Sequence, residues 1–274
     1  MKTHFTLKQL NGDIYYNKKL NNYPIIIISH GFRGWKNWGF IPFLAQNLTK
    51  KNALSITFNY SHNGKPDNTG FIQDINNFAN NSISQQIKDL NLLIKSIKNN
   101  DLNIPQNIFD KWNKNIHLIG HSLGAAISLI VGSKSKSVNT IILLATIATF
   151  DRYTPRQKQL WEKQGYLEFP NQTTNQKLRL NLKFLKDLEK NKSKFDLTKI
   201  INQTKKPVLI IHGKQDHTVP LKEITPLINS KNKLIKTLIL PQTGHTFGTN
   251  HPSKNTSKEI KKVINIISKF LNIQ

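Results

Sequence analysis

Apolar residues fall into two kinds of run along this chain. Short apolar-rich runs occupy 24–29, 53–60, 116–119, 138–145, 207–211 and 234–240, the first a continuous isoleucine run. Such runs are the pattern of strands covered on both faces. Runs with helical spacing occupy 38–50, 83–97, 123–131, 221–229 and 258–271. In 83–97 the apolar positions are 83, 87, 90, 93, 94 and 97, one stripe of an amphipathic helix. The stretch 4–16 alternates around Asn11-Gly12-Asp13, and Asn-Gly is a strong two-residue turn signal, so an antiparallel edge hairpin is predicted there. Strands alternating with helices predict a mostly parallel sheet with helices on both faces. Residues 63–70 read as a polar loop. Residues 146–203 break the alternation: charged and aromatic residues dominate, helix-like spacing appears around 157–165 and 178–189, and no strand is expected. The reading is one domain over 1–274, with 146–203 inserted as a helical cap.

One run ends in chemistry. Ile116-His117-Leu118-Ile119 leads into Gly120-His121-Ser122-Leu123-Gly124 and then Ala125-Ala126. A strand, G-x-S-x-G and a small-residue helix start make up the nucleophile elbow, in which the serine projects above the sheet edge from a tight turn. With 13 Gly in 274 residues, a shuffled chain holds roughly 0.04 such matches before strand and helix are required. Ser122 is therefore the candidate nucleophile.

A serine hydroxyl needs a base, and the base needs an orienting carboxylate. In this architecture the chain order is Ser, Asp, His. The strand 207–211 runs into His212-Gly213-Lys214-Gln215-Asp216, and the strand 234–240 into Pro241-Gln242-Thr243-Gly244-His245. Asp216 and His245 thus sit past the carboxyl ends of two strands, where open α/β sheets build their sites. Asp151, after the 138–145 strand, is the alternative acid. A tetrahedral intermediate needs two preorganised donors for its oxyanion. The expected ones are the backbone N–H groups of Leu123, after the nucleophile, and Phe32, in the Ser29-His30-Gly31-Phe32-Arg33-Gly34 loop after the 24–29 strand. Trp35, Trp38, Phe150 and Trp161 either line an apolar substrate pocket or pack the cap on the core. His62 and His251 could also line a pocket; His30 and His212 read as structural.

Composition narrows the setting. Hydrophobic residues make up 37%, enough for a core because they are clustered. No apolar stretch approaches the ~20 residues of a membrane span, and the first eight residues lack the apolar segment of a secretory leader. Cysteine is absent, which removes disulfides and thiolate chemistry. The expected compartment is cytoplasmic. No close His/Asp/Glu cluster suggests a metal. The net charge is +25, but of 40 basic residues only 4 are Arg. Nucleic-acid sites favour Arg for bidentate contacts. The charge reads either as a solvated lysine-rich surface of biased composition or as a field for anionic substrates, and nucleic acid is not the expected partner.

With these motifs in order, the chain resembles the α/β-hydrolases over nearly its full length. More narrowly, His30-Gly31-Phe32-Arg33-Gly34 with the Trp-rich stretch after it, Asn59-Tyr60-Ser61-His62-Asn63-Gly64 and Gly244-His245-Thr246-Phe247-Gly248 are similar to bacterial dienelactone-hydrolase-like and serine-aminopeptidase-like proteins. The resemblance implies hydrolysis of a small-molecule ester, thioester or amide through an acyl-enzyme, without a cofactor. Dienelactone hydrolases use a cysteine nucleophile, which this chain lacks. The leading expectation is a carboxylic ester hydrolase. An aminopeptidase, amidase, thioesterase or acyltransferase uses the same residues, and an aminopeptidase would need cap carboxylates such as Glu162, Glu168, Asp187 or Glu189 for a substrate ammonium. A non-catalytic basic binding module on the same fold is the reading from another class.

Overall fold

Alternate residues of the central apolar runs point into two different cores. Ile25 and Ile27, Ile116 and Leu118, Ile141 and Leu143, and Val208 and Ile210 enter one. Ile26 and Ile28, Ile119, Ile142 and Leu144, and Leu209 and Ile211 enter the other. This is the period of two expected of a strand buried on both faces. The computed structural model describes residues 1–253 and 256–274.

In chain order the elements are β1 (Lys2–Leu7), β2 (Leu10–Tyr15), β3 (Tyr23–Ser29), α1 (Ile41–Lys50), β4 (Leu54–Asn59), α2 (Ile75–Ala79), α3 (Ile83–Lys98), α4 (Gln106–Phe109), β5 (Trp112–His121), α5 (Leu123–Lys134) and β6 (Val138–Leu144). Then follow α6 (Pro155–Gln164), β7 (Tyr166–Asn171), β8 (Gln176–Asn181), α7 (Leu182–Lys190), a 3₁₀ turn (Lys192–Phe195), α8 (Leu197–Gln203), β9 (Val208–Gly213), α9 (Thr225–Ile228), β10 (Ile235–Leu240) and α10 (Lys258–Leu271). Eight strands form one sheet in the order β1-β2-β4-β3-β5-β6-β9-β10. β1–β2 and β2–β4 are antiparallel, and the other pairs are parallel. Helices α3 and α5 cover one face through residues such as Leu90, Leu93 and Ile127. Helices α1 and α10 cover the other through Ile41, Leu44, Ile260 and Val263. Helix α5 is apolar around its whole circumference because it is covered on all sides, and 123–132 are buried throughout. Among the described residues no helix is long and apolar enough to cross a membrane.

Two expectations need correction. The amino-terminal hairpin exists, but its turn lies at Lys8 and Gln9, with Lys8 at φ 54°, and Asn11-Gly12-Asp13 belongs to β2. Gly12 serves close approach rather than turning: a Cβ there would lie 2.3 Å from the Phe5 ring and 2.4 Å from the Thr57 carbonyl oxygen. The segment 146–203 is not wholly helical, since β7 and β8 form an antiparallel pair within it. In β8 Leu178 and Leu180 point inward while Lys177 and Arg179 point out. That period-two stripe runs directly into the helical stripe of α7, and the junction blurs both signals.

The inserted segment is bolted to the loop and helices that follow β4. The Gln176 side chain accepts from Ile72 N–H (2.7 Å) and donates to the Ile72 carbonyl (2.9 Å). The Asp187 carboxylate of α7 accepts from Ser84 N–H (2.8 Å) in the first turn of α3 and from Asn191 Nδ2 (2.9 Å). On the other side Arg152 donates to the Thr218 carbonyl (2.7 Å) and to Glu223 (2.9 Å).

Candidate active site

The elbow forms where β5 stops. Ser122 has φ 54° and ψ −119°, outside the regions an L-residue favours. Its N–H is held by the Leu144 carbonyl of β6 at 2.8 Å. Backbone strain of this kind costs on the order of 1–3 kcal/mol and persists where the surroundings impose it. The imposing contacts are visible at Gly124: a Cβ there would sit 2.2 Å from the His30 carbonyl oxygen and 2.7 Å from that of Ser29. Only glycine lets the start of α5 meet the end of β3 so closely. The loop after β3 then runs past the elbow, so that a Cβ on Gly31 would lie 3.1 Å from the Ser122 Cβ.

Asp216 and His245 meet at the carboxyl ends of β9 and β10. His245 Nδ1 lies 2.7 Å from Asp216 Oδ2 across 29 residues of sequence. Asp216 Oδ1 accepts from the N–H groups of Thr218 (2.9 Å) and Val219 (2.8 Å). The carboxylate is 3% exposed. Burial pushes its pKa up, but the His245 and Val219 hydrogen bonds and the neighbouring His245 and His212 outweigh burial, and the net position is below the usual value. An ionised carboxylate only accepts, so the His245 proton resides on Nδ1 and Nε2 keeps its lone pair. His212 stands behind this pair, 3.4 Å from Asp216 Oδ2, and donates through Nε2 to the Val219 carbonyl at 2.9 Å. Asp151 points elsewhere and pairs with Lys158.

The residue before Ser122 supplies a link that sequence reasoning missed. His121 Nε2 donates to the main-chain carbonyl of His245 at 3.0 Å. The two imidazoles lie 4.8 Å apart, and Trp38 stacks on His121 at 5.6 Å with an interplanar angle of 13°. Burial, with His245 nearby, pushes the His121 pKa down to about 3, so this ring stays a neutral donor. Position x of G-x-S-x-G carries no residue preference, and no sequence signal marked it. Ser122 Oγ has no hydrogen-bond partner among the described residues.

The β3 loop turns on a Gly34 N–H to Gly31 carbonyl bond of 3.0 Å, with Arg33 at φ 60°. His30 is buried, its pKa pushed down to about 4, and it donates through Nδ1 to the Gly31 carbonyl at 2.9 Å. Neither Phe32 N–H nor Leu123 N–H has a partner among the described residues. The Phe32 ring packs against Phe78 (5.7 Å) and against Phe169 of β7 (5.6 Å). Phe78 and Phe169 come from separate segments without a marking pattern, so the sequence did not single them out.

The four aromatic residues expected near a pocket separate in space. Trp38 lies against the elbow histidine as described. Trp35 is buried edge-on against His251 at 4.6 Å. Phe150 packs on Phe195 at 5.6 Å and borders a cavity of about 860 Å³ between the β6–α6 connection and α7–α8. Trp161 is fully buried, stacked on Phe184 at 5.9 Å and edge-on to Tyr153, which takes it out of any open pocket wall. Its packing holds the inserted segment together. Among the described residues no group of three or more His, Asp or Glu side chains is arranged to hold a metal ion.

A model of the BD-FAE family matches residues 12–230. The chain belongs to the BD-FAE family. The matched stretch takes in the β3 loop, the elbow and Asp216, and ends before His245. No curated protein matches this BD-FAE chain. Solved structures similar to it are α/β hydrolases. Est1E from Butyrivibrio proteoclasticus, solved with ferulic acid bound, superposes with a TM-score of 0.70 at 16% identity, over 98% of this chain and 97% of that one. The α/β hydrolase GrgF from Penicillium sp. sh18 gives 0.72 at 16%, over 99% and 97%. The α/β hydrolase domain-containing protein 10 from mouse gives 0.69 at 18%, over 99% and 98%. The BD-FAE chain thus has the α/β-hydrolase fold, with a mostly parallel eight-stranded sheet between two helical layers.

Proposed function

We propose that this protein is a serine hydrolase that cleaves carboxylic esters through an acyl-enzyme. Ser122 Oγ attacks the ester carbonyl while His245 Nε2 takes its proton. Asp216 holds the imidazole in the required tautomer and stabilises the imidazolium that forms. The oxyanion of the tetrahedral intermediate is received by the N–H groups of Phe32 and Leu123, each such donor being worth about 3 kcal/mol of barrier. His245 returns the proton to the departing alkoxide, and water repeats the sequence to release the acid. The observation that carries the reading is the 2.7 Å His245–Asp216 bond, whose imidazole is tethered through its own carbonyl to the residue before a strained elbow serine.

Three features support an ester over an amine-bearing peptide. Of the four inserted-segment carboxylates named above for an ammonium, Asp187 is used in binding α3. Glu162 and Glu189 flank Lys186 at 3.6 and 3.3 Å. The likeness to a solved esterase domain from a Rhodothermus marinus protein points the same way. The segment 146–203 acts in this reading as the cap over the site. Trp38 lies against His121 at its base, and Phe150 borders the cavity between the β6–α6 connection and α7–α8.

The test is labelling with a fluorophosphonate and turnover of 4-nitrophenyl butyrate. Wild type should label and hydrolyse, and Ser122→Ala should do neither, with turnover lower by on the order of 10⁴ or more. A folded wild-type protein that neither labels nor hydrolyses would overturn the reading.

A further inference from the structure

A second hydroxyl–imidazole–carboxylate group lies on the loop after β4. Asp89 of α3 is 4% exposed. Its Oδ2 accepts from the Ser61 N–H (2.8 Å) and the Ser61 hydroxyl (2.8 Å), and its Oδ1 from Gln85 Nε2 (2.8 Å). Ser61 Oγ lies 2.9 Å from His62 Nδ1 and 3.3 Å from Gln85 Nε2. Because a carboxylate only accepts, the hydroxyl proton is committed to Asp89. Ser61 Oγ must then accept from His62 Nδ1–H. The order of groups differs from that around Ser122: here the hydroxyl is in the middle and cannot be freed as a nucleophile. What the relay does is fix the tautomer of His62, leaving the Nε2 lone pair pointing out of the network. Nε2 has no partner among the described residues and is not sealed from solvent.

His62 stands close to the reacting end of the sheet. β4 is separated from β5 by β3 alone, and at ~4.8 Å per strand their carboxyl ends are about 10 Å apart. The loop carrying His62 packs on Phe78: a Cβ on Gly64 would lie 2.8 Å from the Phe78 Cβ. Phe78 in turn touches Phe32, whose N–H is a proposed oxyanion donor, and Phe169 of the inserted β7. The Asn77 side chain donates to the Ser61 carbonyl at 3.0 Å and fixes the loop to α2. Burial lowers the His62 pKa, Asp89 and Asp74 raise it and Lys183 of α7 lowers it; the net is downward, so the ring is neutral at pH 7. The seam between core and inserted segment thus contains a rigidly held, neutral acceptor that no part of the proposed chemistry uses.

We propose that His62 binds substrate, its Nε2 accepting a hydrogen bond from a hydroxyl group carried by the ester on its acyl or its alcohol portion. This rests on the serine-hydrolase reading above. A site built around a fixed acceptor disfavours an otherwise identical ligand without the donor, because the acceptor is then left unpaired. Two ester pairs separate the sources of the hydroxyl: 4-nitrophenyl glycolate against 4-nitrophenyl acetate for the acyl side, and glyceryl monoacetate against propyl acetate for the alcohol side.

Wild type should favour the hydroxylated member of one pair about fivefold or more in kcat/KM. His62→Phe should abolish that preference through a higher KM for the hydroxylated ester. Ser61→Ala, which frees the imidazole tautomer, should lose part of it. Equal preference ratios in wild type and His62→Phe overturn the inference. If wild type turns over none of the four esters, the hydrolase reading stands or falls on the fluorophosphonate and butyrate test above. The His62 inference is then decided by histidine ¹⁵N NMR during titration with glycerol and with glycolamide. A shift of the unprotonated Nε2 resonance with either supports it, and no shift with both overturns it.

Discussion

Acid should unfold this protein earlier and more steeply than its carboxylates alone would dictate. His30, His117 and His121 are buried as neutral rings, with pKa values pushed down to about 4, about 4 and about 3, chiefly by burial. In the unfolded chain each returns to about 6.5. Below that pH the unfolded chain binds protons that the folded one refuses, so stability is complete above about pH 6.5 and is lost as pH falls toward the folded values. At pH 5 each unfolded histidine is almost fully charged and each folded one almost fully neutral. Unfolding then takes up nearly three protons, a slope of about 4 kcal/mol per pH unit. From pH 6.5 to 5 the loss integrates to about 5 kcal/mol, comparable to the whole stability of many domains. Urea unfolding followed by tryptophan fluorescence at half-unit steps from pH 7.5 to 5 measures it. His117→Leu removes one of the three far from Ser122, and should cut the slope by about a third. Stability that stays flat between pH 7 and 5, or a slope of one proton or fewer, would refute the burial argument.

Other consequences can be checked separately. Asp216→Asn should lower ester turnover by about 10⁴-fold, because the amide no longer holds the His245 tautomer, whereas Asp151→Asn, at a carboxylate paired with Lys158, should stay within about twofold. Gly124→Ala places a Cβ 2.2 Å from a carbonyl oxygen and should lower stability by about 2 kcal/mol or more despite alanine's better helix propensity, read as a drop in Tm. Asp187→Ala strips the α3 amino terminus of its acceptor and should lower stability by about 1–2 kcal/mol by urea titration, with the inserted segment becoming more susceptible to limited proteolysis.

The sheet was readable because five of its strands are apolar-rich runs buried on both sides; β10 also reads as such a run, but it is the edge strand and Lys236 and Thr237 are exposed. The stripes of α3 and α10 were equally plain. Asp216 and His245 could be paired across 29 residues from their positions past two strand ends. Local turn chemistry was less reliable: Asn11-Gly12 has a hairpin turn's composition, yet Gly12 is there to admit the Phe5 ring, a tertiary demand invisible along the chain. The β7–β8 pair was missed because its stripe continues into α7 without a break. α2 and α4, of 5 and 4 residues, are too short to show a period. The His121–His245 tether and the Phe32–Phe78–Phe169 contacts join distant segments through residue types that are unremarkable where they stand.

The His121 tether bears on how the protein could be re-engineered. The residue before an elbow serine is an inviting place to diversify, since the turn itself makes no demand on it. Here that position must offer a neutral N–H donor at the height of the His245 carbonyl and a flat face to Trp38. A library randomised at 121 would therefore sample the placement of His245, the proposed base, rather than the shape of a binding site. Its survivors should be few.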